Sequence, residues 1–490
     1  MTTTKTEYNL ATMILQAAEE KPDGVFLEYR GNPITFREGL DRSRRCAGFL
    51  RSGGVEQGDR VLIILGNIPE FIYSYLAIVQ LGAIGVLVNP AARRYEFRHY
   101  IEETEPKYII TDSKQIEHFK TDEGFFFDPD RVICVDADAA NNRFGDILER
   151  SQPYEGIAPV EEYATASIIF TSAMEGKPLG AQITHAGIFG TARAYAVNPV
   201  LHTDKFLLTL PLFHSYGLAS SLFTPLYKKI PTLLVNRYSP KRIHEILLND
   251  GVTIFCGVPI MFQLIPFAAP EGTRYPSLRV WVSGGEAISV ELQKLLMDRF
   301  EIDIRQGYGL TEASPIVTWN LIGTPNKFGS IGIPMVWNEI KIERPDGSIA
   351  QPNEEGELIV KGVNVISGYY KNPEKTREVI RDGWLHTGDL GYVDADGYFY
   401  ITGRKKDMII KNGLNIYPKE VERLISMHPS VENVRITGHV VKNEDSTTKE
   451  TITAEIYRKK GHTVDKESLI EWCKGNISSY KLPDDFDIRN

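Results

Sequence analysis

Residues 306–315 read QGYGLTEASP and place an aromatic ring between two glycines, followed by a hydroxyl and a carboxylate. Such a segment can stack on a base through Tyr308, contact a phosphate oxygen through Thr311 and hold Mg²⁺ through Glu312. The alternative is a glycine-rich turn before a helix capped by Thr311. Because the segment alone fits both interpretations, the sequence around it has to decide between them.

Short runs of β-branched residues precede this segment and alternate with helix-like stretches. The runs are Val61–Leu65, Tyr108–Thr111, Val132–Val135, Ile168–Phe170, Thr232–Val235 and Val280–Val282. This alternation predicts an α/β fold in which parallel sheets are covered by helices and ligands bind at the carboxyl ends of strands. From about Gly329, shorter strands with the turn signals RPDGS at 344–348 and DADG at 394–397 predict a largely antiparallel, β-barrel-like section.

The last part of the chain has the pattern of a separate unit. The charged segment RKKD at 404–407 predicts a linker, and Pro418 suits the first turn of a helix after it. Strands near 431–440 and 451–457 and a helix near 465–474 complete an α+β pattern. We therefore expect a large N-terminal domain of residues 1–403 and a small C-terminal domain of residues 404–490.

Composition excludes several classes of protein. The chain has 490 residues, of which 42% are hydrophobic and 24% charged, as in ordinary soluble domains, and its net charge of −9 argues against non-specific binding to nucleic acid. Its four cysteines are far apart and predict neither disulfides nor a structural zinc site. The N-terminus does not have the pattern of a signal peptide, which predicts a cytoplasmic location. The longest apolar stretch, 75–88, is too short for a transmembrane helix.

Three further segments carry polar groups next to glycine. The loop FTSAMEGKPLG at 170–180 offers backbone N–H donors, hydroxyls and a lysine, which suit a triphosphate, although it is not a Walker A loop. The segments WLHTGD at 384–389 and GRKKD at 403–407 supply Asp389 and Arg404, which can hydrogen-bond to ribose hydroxyls. Taken one at a time, each segment is more typical of an ordinary solvated turn.

The order of these segments is more specific than any one of them. Together they resemble the adenylate-forming superfamily, which contains acyl-CoA synthetases, luciferases and the adenylation domains of peptide synthetases. The resemblance covers nearly the whole chain. It rests on GDR at 58–60, NIPE at 67–70, the loop at 171–180, LPLFH at 210–214, SGGE at 283–286, the segment 306–315, the two segments that supply Asp389 and Arg404, and SYK at 479–481.

The resemblance implies roles for particular residues. Tyr308 would stack on adenine, Thr311 would contact the α-phosphate, and Asp389 and Arg404 would hold the ribose. Glu312 would bind Mg²⁺. The remaining expected site residues are Thr171, Ser172, Gly176 and Lys177 in the phosphate loop, Gly284, Gly285 and Glu286 beside adenine, His214 between the acyl pocket and the nucleotide, Lys406 at the hinge of a mobile small domain, and Gly413 near the pantetheine of coenzyme A.

The resemblance also implies a reaction and its participants. A carboxylate attacks the α-phosphate of ATP to give acyl-AMP and pyrophosphate, and the thiol of coenzyme A then displaces AMP. The segment 307–315 is most similar to fatty-acid members of the family, so we expect a medium- or long-chain fatty acid as substrate. The expected cofactors are ATP, Mg²⁺ and coenzyme A as a substrate, and the sequence leaves a homodimer open.

Two departures from the family pattern leave other functions open. Ala173, Met174, Glu175 and Leu179 replace a glycine, two hydroxyl residues and a lysine of the usual phosphate loop. The printed sequence also stops at Asn490, upstream of the position at which the family carries a lysine that serves adenylation. The alternatives are therefore an enzyme that only converts supplied acyl-AMP to the thioester, or a non-catalytic acyl-nucleotide binder.

Overall fold

The computed structural model describes most of the chain. The described residues are 8–121, 124–136, 142–171, 177–197, 200–404, 409–411, 414–416, 418–442, 448–459, 462–463 and 465–489. The helices are α1 (Ala11–Glu20), α2 (Phe36–Ser52), α3 (Pro69–Gln80), α4 (Arg94–Thr104), α5 (Ser113–Ile116), α6 (Phe144–Arg150), α7 (His185–Val197), α8 (Thr224–Lys228), α9 (Pro240–Asn249), α10 (Pro259–Ala268), α11 (Val290–Phe300), α12 (Pro373–Val379), α13 (Pro418–Ile425) and α14 (Lys466–Asn476).

Most strands lie between these helices. They are β1 (Val25–Tyr29), β2 (Asn32–Thr35), β3 (Arg60–Ile64), β4 (Ile84–Leu87), β5 (Tyr108–Thr111), β6 (Lys120–Thr121), β7 (Gly124–Phe125), β8 (Val132–Cys134), β9 (Asn142–Arg143), β10 (Thr165–Thr171), β11 (Leu179–Thr184), β12 (Phe206–Leu208), β13 (Thr232–Leu234), β14 (Ile254–Gly257), β15 (Val280–Ser283), β16 (Ile304–Gly309), β17 (Ile316–Trp319), β18 (Ile333–Pro334), β19 (Asn338–Glu343), β20 (Gly356–Gly362), β21 (Ile380–Arg381), β22 (Trp384–Val393), β23 (Phe399–Arg404), β24 (Ile409–Lys411), β25 (Leu414–Ile416), β26 (Val431–Lys442), β27 (Thr448–Arg458) and β28 (Asp485–Arg489).

Two large sheets form the centre of the N-terminal part, as predicted. One has the order β18-β17-β16-β15-β14-β12-β13-β1-β2, and the other has the order β11-β10-β4-β3-β5-β8-β9. Neighbouring strands are parallel except at the edges, where β1 pairs with β2, β16 with β17, β17 with β18 and β10 with β11 in antiparallel fashion. The prediction of helix-covered, mainly parallel sheets is confirmed.

Both faces of the parallel strands in the middle of each sheet are buried, because the helices that connect parallel strands cover the sheet. Every residue of β5, β14 and β15 is buried, and α3, which packs on β3 and β4, is buried over almost its entire length. Such strands are nearly continuous apolar runs rather than alternating ones. The hydrophobic clusters on the two sheets contain residues from both the strands and the covering helices.

An antiparallel sheet follows, as the turn signals predicted. It joins β19, β20, β22 and β21, and β23 pairs with the other side of β22. Gly347 and Gly397 occupy left-handed turn positions with φ of 84° and 83°, which glycine adopts without steric cost. Strand β23 extends through Arg404, the first residue of the charged segment 404–407 that was predicted to be a linker.

The C-terminal residues form a smaller unit with its own core. Strands β26, β27 and β28 make a three-stranded sheet, β24 and β25 form a hairpin, and α13 and α14 cover the sheet. Pro418 is the first residue of α13, as predicted. Within the described part of the chain, no helix is long and apolar enough to cross a membrane.

Candidate functional site

The strand β16 carries the central segment to the carboxyl edge of the large sheet. It ends at Gly309, and a short 3₁₀ turn, Thr311–Ala313, follows before β17 returns antiparallel to β16. Thr311 is the first residue of this turn, whose cap position is Leu310, so the helix cap considered for Thr311 is wrong. A Cβ atom on Gly309 would lie 1.8 Å from the carbonyl oxygen of Pro315, so the close approach of the two strands requires glycine there.

Tyr308 and Asp389 meet at the edge of the antiparallel sheet. The hydroxyl of Tyr308 donates to Oδ2 of Asp389 at 2.5 Å, and Nε of Arg404 lies 2.8 Å from Oδ1 of the same carboxylate. Asp389 on β22 and Arg404 on β23 are register partners, which explains why two residues fifteen positions apart are in contact. The three residues that the resemblance assigns to adenine and ribose thus form one connected group.

The electrostatics of this group follow from its burial. Asp389 is 3% exposed, and burial raises the pKa of its carboxyl, although Arg404 and the Tyr308 hydroxyl act in the opposite direction. Burial, together with the neighbouring carboxylate, raises the pKa of Tyr308 well above its usual value. Tyr308 therefore remains a hydrogen-bond donor at neutral pH, and Asp389 remains an acceptor that a ribose hydroxyl could also use.

Glu312 lies beside the end of β10 and accepts hydrogen bonds from two hydroxyls. Its Oε1 accepts from Tyr369 at 2.9 Å and from Thr171 at 3.4 Å. Burial raises the pKa of Glu312, although Tyr369, Thr171 and Arg404 lower it in part. A partly buried carboxylate with hydroxyls around it is a set of hard oxygen donors, which suits Mg²⁺.

The phosphate loop is described only at its two ends. Thr171 closes β10, and its hydroxyl also contacts the carbonyl of Leu179 across the antiparallel pair at 3.4 Å. Lys177 is exposed, and its charge contributes to a lowered pKa of His99, a shift that is due mainly to burial. Leu179, where the family carries a lysine, packs against the core of the sheet. Ser172, Ala173, Met174, Glu175 and Gly176 lie outside the described residues.

His214 lies between two cavities. The first, of about 360 Å³, is lined by Tyr195, His214, Tyr216, Gly284, Gly285, Gly307, Tyr308, Gly309, Leu310, Pro315 and Ile316. The second, of about 630 Å³, is lined by Leu87, Val88, Asn89, Tyr100, Ile169, Phe170, Thr171, Phe213, His214, Thr311, Leu414 and Tyr480. The first cavity joins the predicted adenine residues to an aromatic pocket, whereas the second reaches the small C-terminal unit through Leu414 and Tyr480.

The imidazole of His214 is held in one orientation. Its Nδ1 accepts from the backbone N–H of Tyr216 at 3.2 Å, so its remaining proton is on Nε2. Burial lowers the pKa of His214 to about 4, and the ring is therefore neutral at physiological pH. His214 can donate one hydrogen bond at the meeting point of the cavities without adding charge to it.

The walls of the first cavity come from glycines and aromatic rings. A Cβ atom on Gly284 would lie 3.1 Å from the ring of Tyr216, so a side chain there would press against that ring. Gly285 is exposed with φ of 83°, and Glu286 is half-buried beside it. Tyr195, Tyr216 and Cys256 belong to one buried apolar cluster. The expected positions 284–286 therefore border the cavity that Tyr308 also lines.

A second polar cluster, on β19, β20 and β22, lies next to the proposed ribose position at Asp389. Nδ1 of His386 lies 3.3 Å from a carboxylate oxygen of Glu357 and 3.6 Å from one of Glu343, and these three groups could also hold a metal ion. The other oxygen of Glu357 accepts from the backbone N–H of Gly388 at 2.9 Å. Glu357 thereby fixes the backbone immediately before Asp389.

The structure adds residues that the sequence did not single out. Tyr369 donates to Glu312, Tyr195 and Tyr216 line the first cavity, and Leu414 lines the second. Tyr480, which belongs to the segment SYK of the resemblance but had no role assigned to it, also lines the second cavity. The sequence signal for Tyr369 was the segment GYY at 368–370. An aromatic pair after glycine also occurs in solvated loops, so the segment alone does not indicate a site residue. Lys406 and Gly413, the expected hinge and pantetheine positions, lie outside the described residues.

Known proteins match this chain over nearly its full length. The model of a family described as AMP-binding enzyme matches residues 14–370. A long-chain-fatty-acid–CoA ligase of Bacillus subtilis (strain 168) is 30% identical, with 98% of this chain and 91% of that protein aligned. A feruloyl-CoA synthase of an Amycolatopsis species is 31% identical, with 97% and 94% aligned.

One solved relative matches this chain in complexes with different ligands. A double mutant of o-succinylbenzoate CoA synthetase (MenE) from Bacillus subtilis, bound with its product analogue OSB-NCoA, matches with a TM-score of 0.85 and 28% identity over 98% of this chain and 94% of that one. MenE in complex with AMP matches with a TM-score of 0.71 and 29% identity over 97% and 94%. The arrangement of this chain is therefore more similar to that of the product-analogue complex.

Proposed function

Because the chain belongs to the AMP-binding enzyme family, we infer that it joins a carboxylic acid to coenzyme A through an acyl-AMP intermediate. The relatives that match nearly the whole chain are CoA ligases and synthases, so the enzyme class is an AMP-forming acid–thiol ligase. The observation that carries the two-step reaction is the position of His214 between two cavities. One cavity suits the acyl-nucleotide, and the other offers a separate approach for a thiol.

We propose the following division of the site between the two steps. In the first step the acid lies in the aromatic part of the first cavity, with adenine against Tyr308 and the ribose on Asp389 and Arg404. Its carboxylate attacks the α-phosphate, and pyrophosphate leaves. In the second step the thiol attacks the acyl carbonyl through the second cavity, and AMP leaves. The protein accelerates both steps by positioning and by charge stabilisation, with no covalent enzyme intermediate.

Glu312 is the proposed ligand for Mg²⁺. Its carboxylate and the hydroxyl of Thr171 form the oxygen donor set, and Thr311 lines the adjoining cavity, where it would contact the α-phosphate. The metal would neutralise charge on the phosphates during adenylation. Lys177, which is exposed at the end of the phosphate loop, would approach the same phosphates.

The small C-terminal domain would serve the second step in its present position. Leu414 and Tyr480 line the second cavity, and the greater similarity to the product-analogue complex of MenE supports the same assignment. We place the boundary between the domains at 403 and 404 and propose that the small domain rotates there between steps, with Lys406 at the hinge and Gly413 near pantetheine.

For the acid we propose a medium- or long-chain fatty acid. The apolar and aromatic lining of the first cavity and the similarity to a long-chain-fatty-acid–CoA ligase support this choice. A feruloyl-CoA synthase is about as similar, so aromatic acids belong in the same assay. The enzyme should be offered octanoate, palmitate, ferulate and benzoate at equal concentration, and a marked preference for an aromatic acid would contradict the fatty-acid assignment.

Two half-reactions test the proposed function itself. Pyrophosphate release is measured with acid and ATP, and thioester formation is measured with supplied acyl-AMP and coenzyme A. We expect activity in both. Thioester formation without pyrophosphate release would favour the thiolation-only enzyme, which the apolar Leu179 in place of a lysine also favours. Inactivity in both assays with every acid would leave a non-catalytic acyl-nucleotide binder.

A further inference from the structure

Lys481 is buried at the contact between the small C-terminal domain and the large domain. Its side chain is 2% exposed, and its Nζ lies 2.6 Å from Oε1 of Glu96 and 2.7 Å from Oε1 of Glu420. Glu96 belongs to α4 of the large domain, whereas Glu420 belongs to α13 of the small domain. One ammonium group therefore bridges two carboxyl groups that belong to different domains.

Both carboxylate oxygens of Glu96 accept hydrogen bonds, from the small domain and from the start of its own helix. Its Oε2 accepts from the backbone N–H of Arg93 at 3.0 Å, which completes the first turn of α4, and it also accepts from the hydroxyl of Ser478. Both Ser478 and Lys481 lie in the small domain, so two donors of that domain converge on one carboxylate of the large domain. All three side chains are almost completely buried.

The energetics of such a cluster favour one arrangement of the domains over others. Burial by itself would lower the pKa of Lys481, but Glu420 and Glu96 raise it well above its usual value, so the lysine stays charged. Buried ion pairs add little net stability compared with an apolar contact, yet the removal of one partner is strongly unfavourable. The cluster therefore discriminates between domain positions that keep Glu96 next to Lys481 and positions that separate them.

Glu420 is the carboxylate that the small domain itself contributes to the contact with Lys481. Oε2 of Glu420 forms no hydrogen bond to any described residue, so the cluster already contains one buried acceptor without a donor. If the small domain rotates away, Lys481 keeps only Glu420, and Glu96 loses both of its donors from the small domain. Rotation of the small domain therefore has an electrostatic cost at the contact between Lys481 and Glu96.

The same contact positions the wall of the second cavity. Tyr480, which precedes Lys481, lines that cavity opposite Phe213 and His214. The ring of Trp472 also lies 6.4 Å from that of Tyr95, the residue before Glu96. Because adjacent residues form the ionic contact and the cavity wall, a displacement of Lys481 from Glu96 would displace Tyr480 as well.

We propose that Glu96, Lys481 and Glu420 are positioning residues that hold the small domain in the arrangement that forms the thioester. The inference rests on the proposed two-step function. It assigns no contact with substrate to these residues, and they act through Tyr480 and Leu414, which line the second cavity. Acyl-AMP formation, for which we propose a different domain position, does not depend on the cluster.

The variant Glu96→Gln tests this role with little disturbance. It removes only the charge that joins the domains, keeps an oxygen for the backbone N–H of Arg93, and leaves the pair of Lys481 and Glu420 intact within the small domain. We expect the rate of thioester formation from supplied acyl-AMP to fall about tenfold or more at saturating coenzyme A. Pyrophosphate release from acid and ATP should stay within about twofold of the parent rate. The control is Glu102→Gln on the same helix, whose ion pair with Arg98 is exposed.

Variants of Lys481 separate positioning from a general loss of stability. Lys481→Met should reproduce the selective loss of thioester formation, and Lys481→Arg, which retains the charge, should recover part of it. Lys466→Met, which removes an exposed ion pair inside the small domain, should leave both half-reactions unchanged. Equal losses in both half-reactions of Glu96→Gln, or no loss in either, would overturn the inference while leaving the function intact. A parent protein that forms no thioester would overturn both.

Discussion

At the scale of the residue, burial favours the neutral form of three ionisable groups in the site. Burial raises the pKa of the Glu312 and Asp389 carboxyls, whereas it lowers the pKa of His214 to about 4. Arg404 and the hydroxyls of Tyr369 and Tyr308 act against this effect at the two acids, because they stabilise the carboxylate form. The imidazole stays neutral. The sequence predicted these residues from their neighbours along the chain, but the identity of Tyr369 as the partner of Glu312 depends on a contact across 57 positions.

Replacement of Glu312 tests the proposed metal ligand. Because burial raises the pKa of Glu312, protons compete with Mg²⁺ at higher pH than they would for an exposed glutamate. We expect Glu312→Gln to lower pyrophosphate release at least about tenfold and to remove the acidic limb of its pH profile. Thermal unfolding should change little. Pyrophosphate release that is unchanged, or that keeps the same acidic limb, would remove Glu312 from the metal site.

His185 should make the stability of the protein depend on pH. It is fully buried at the start of α7, its Nδ1 accepts from the backbone N–H of Leu10, and burial lowers its pKa to about 3. The unfolded chain, with a histidine pKa of about 6.5, binds a proton below that pH, whereas the folded chain does so only near pH 3. The free energy of unfolding therefore has its full value above pH 6.5 and falls as the pH decreases.

The variant His185→Asn isolates that contribution, since the asparagine oxygen can accept from Leu10. Relative to neutral pH, His185 should cost the parent about 2 kcal/mol of unfolding free energy at pH 5. The variant should lack this part of the loss, measured as the difference between urea midpoints at pH 7.5 and pH 5. Identical pH dependence in the two proteins would show that His185 is protonated in the folded state.

At the scale of the element, function depends on strand pairing. Asp389 and Arg404 are brought together because β22 and β23 pair in register, and Tyr308 reaches them from the end of β16. The apolar runs and turn signals predicted these strands, and the predicted parallel and antiparallel regions are confirmed. The pairing of strands between regions could not be predicted, because a hydrophobic run specifies burial but not its neighbour.

Nucleotide affinity should therefore respond to Asp389 on β22. Asp389→Ala removes the proposed acceptor for the ribose hydroxyls, and we expect ATP and AMP to bind more weakly by about 1.5–3 kcal/mol each. Titration calorimetry on parent and variant measures the change. Asp394→Ala on the same hairpin, which removes a partner of Lys327 away from the site, is the control. Equal affinities in Asp389→Ala and parent would contradict the ribose assignment.

At the scale of the whole molecule, the relative position of the two domains decides which residues share a cavity. Residue patterns predicted the small α+β domain, including Pro418 at the start of α13. The patterns did not predict the contact of Lys481 with Glu96, because a single sequence does not indicate that a lysine and a glutamate 385 positions apart are in contact. A buried interdomain ion cluster becomes recognisable only from the folded structure.

The fluorescence of Trp472 should report the position of the small domain relative to the large domain. Its half-buried ring faces Tyr95 of the large domain at 6.4 Å and His428 of its own domain at 5.3 Å. If a non-hydrolysable ATP analogue rotates the small domain away, Trp472 loses Tyr95 and gains water, so its emission should shift to longer wavelength. Subtraction of the signal from Trp472→Phe isolates this contribution. An emission that never responds to the analogue would argue against rotation at this contact.

The burial of Cys256 in the cluster that contains Tyr195 and Tyr216 protects it from a side reaction of the proposed chemistry. An acyl-adenylate is an acylating agent, and any nearby thiolate would become acylated in place of coenzyme A. Burial raises the pKa of Cys256 to about 12, and the thiolate is the nucleophilic form. At neutral pH only about one Cys256 thiol in 10⁵ is ionised. Cys256 is therefore a poor competitor for the acyl group of this mixed anhydride, which leaves the thiol of coenzyme A as the effective nucleophile.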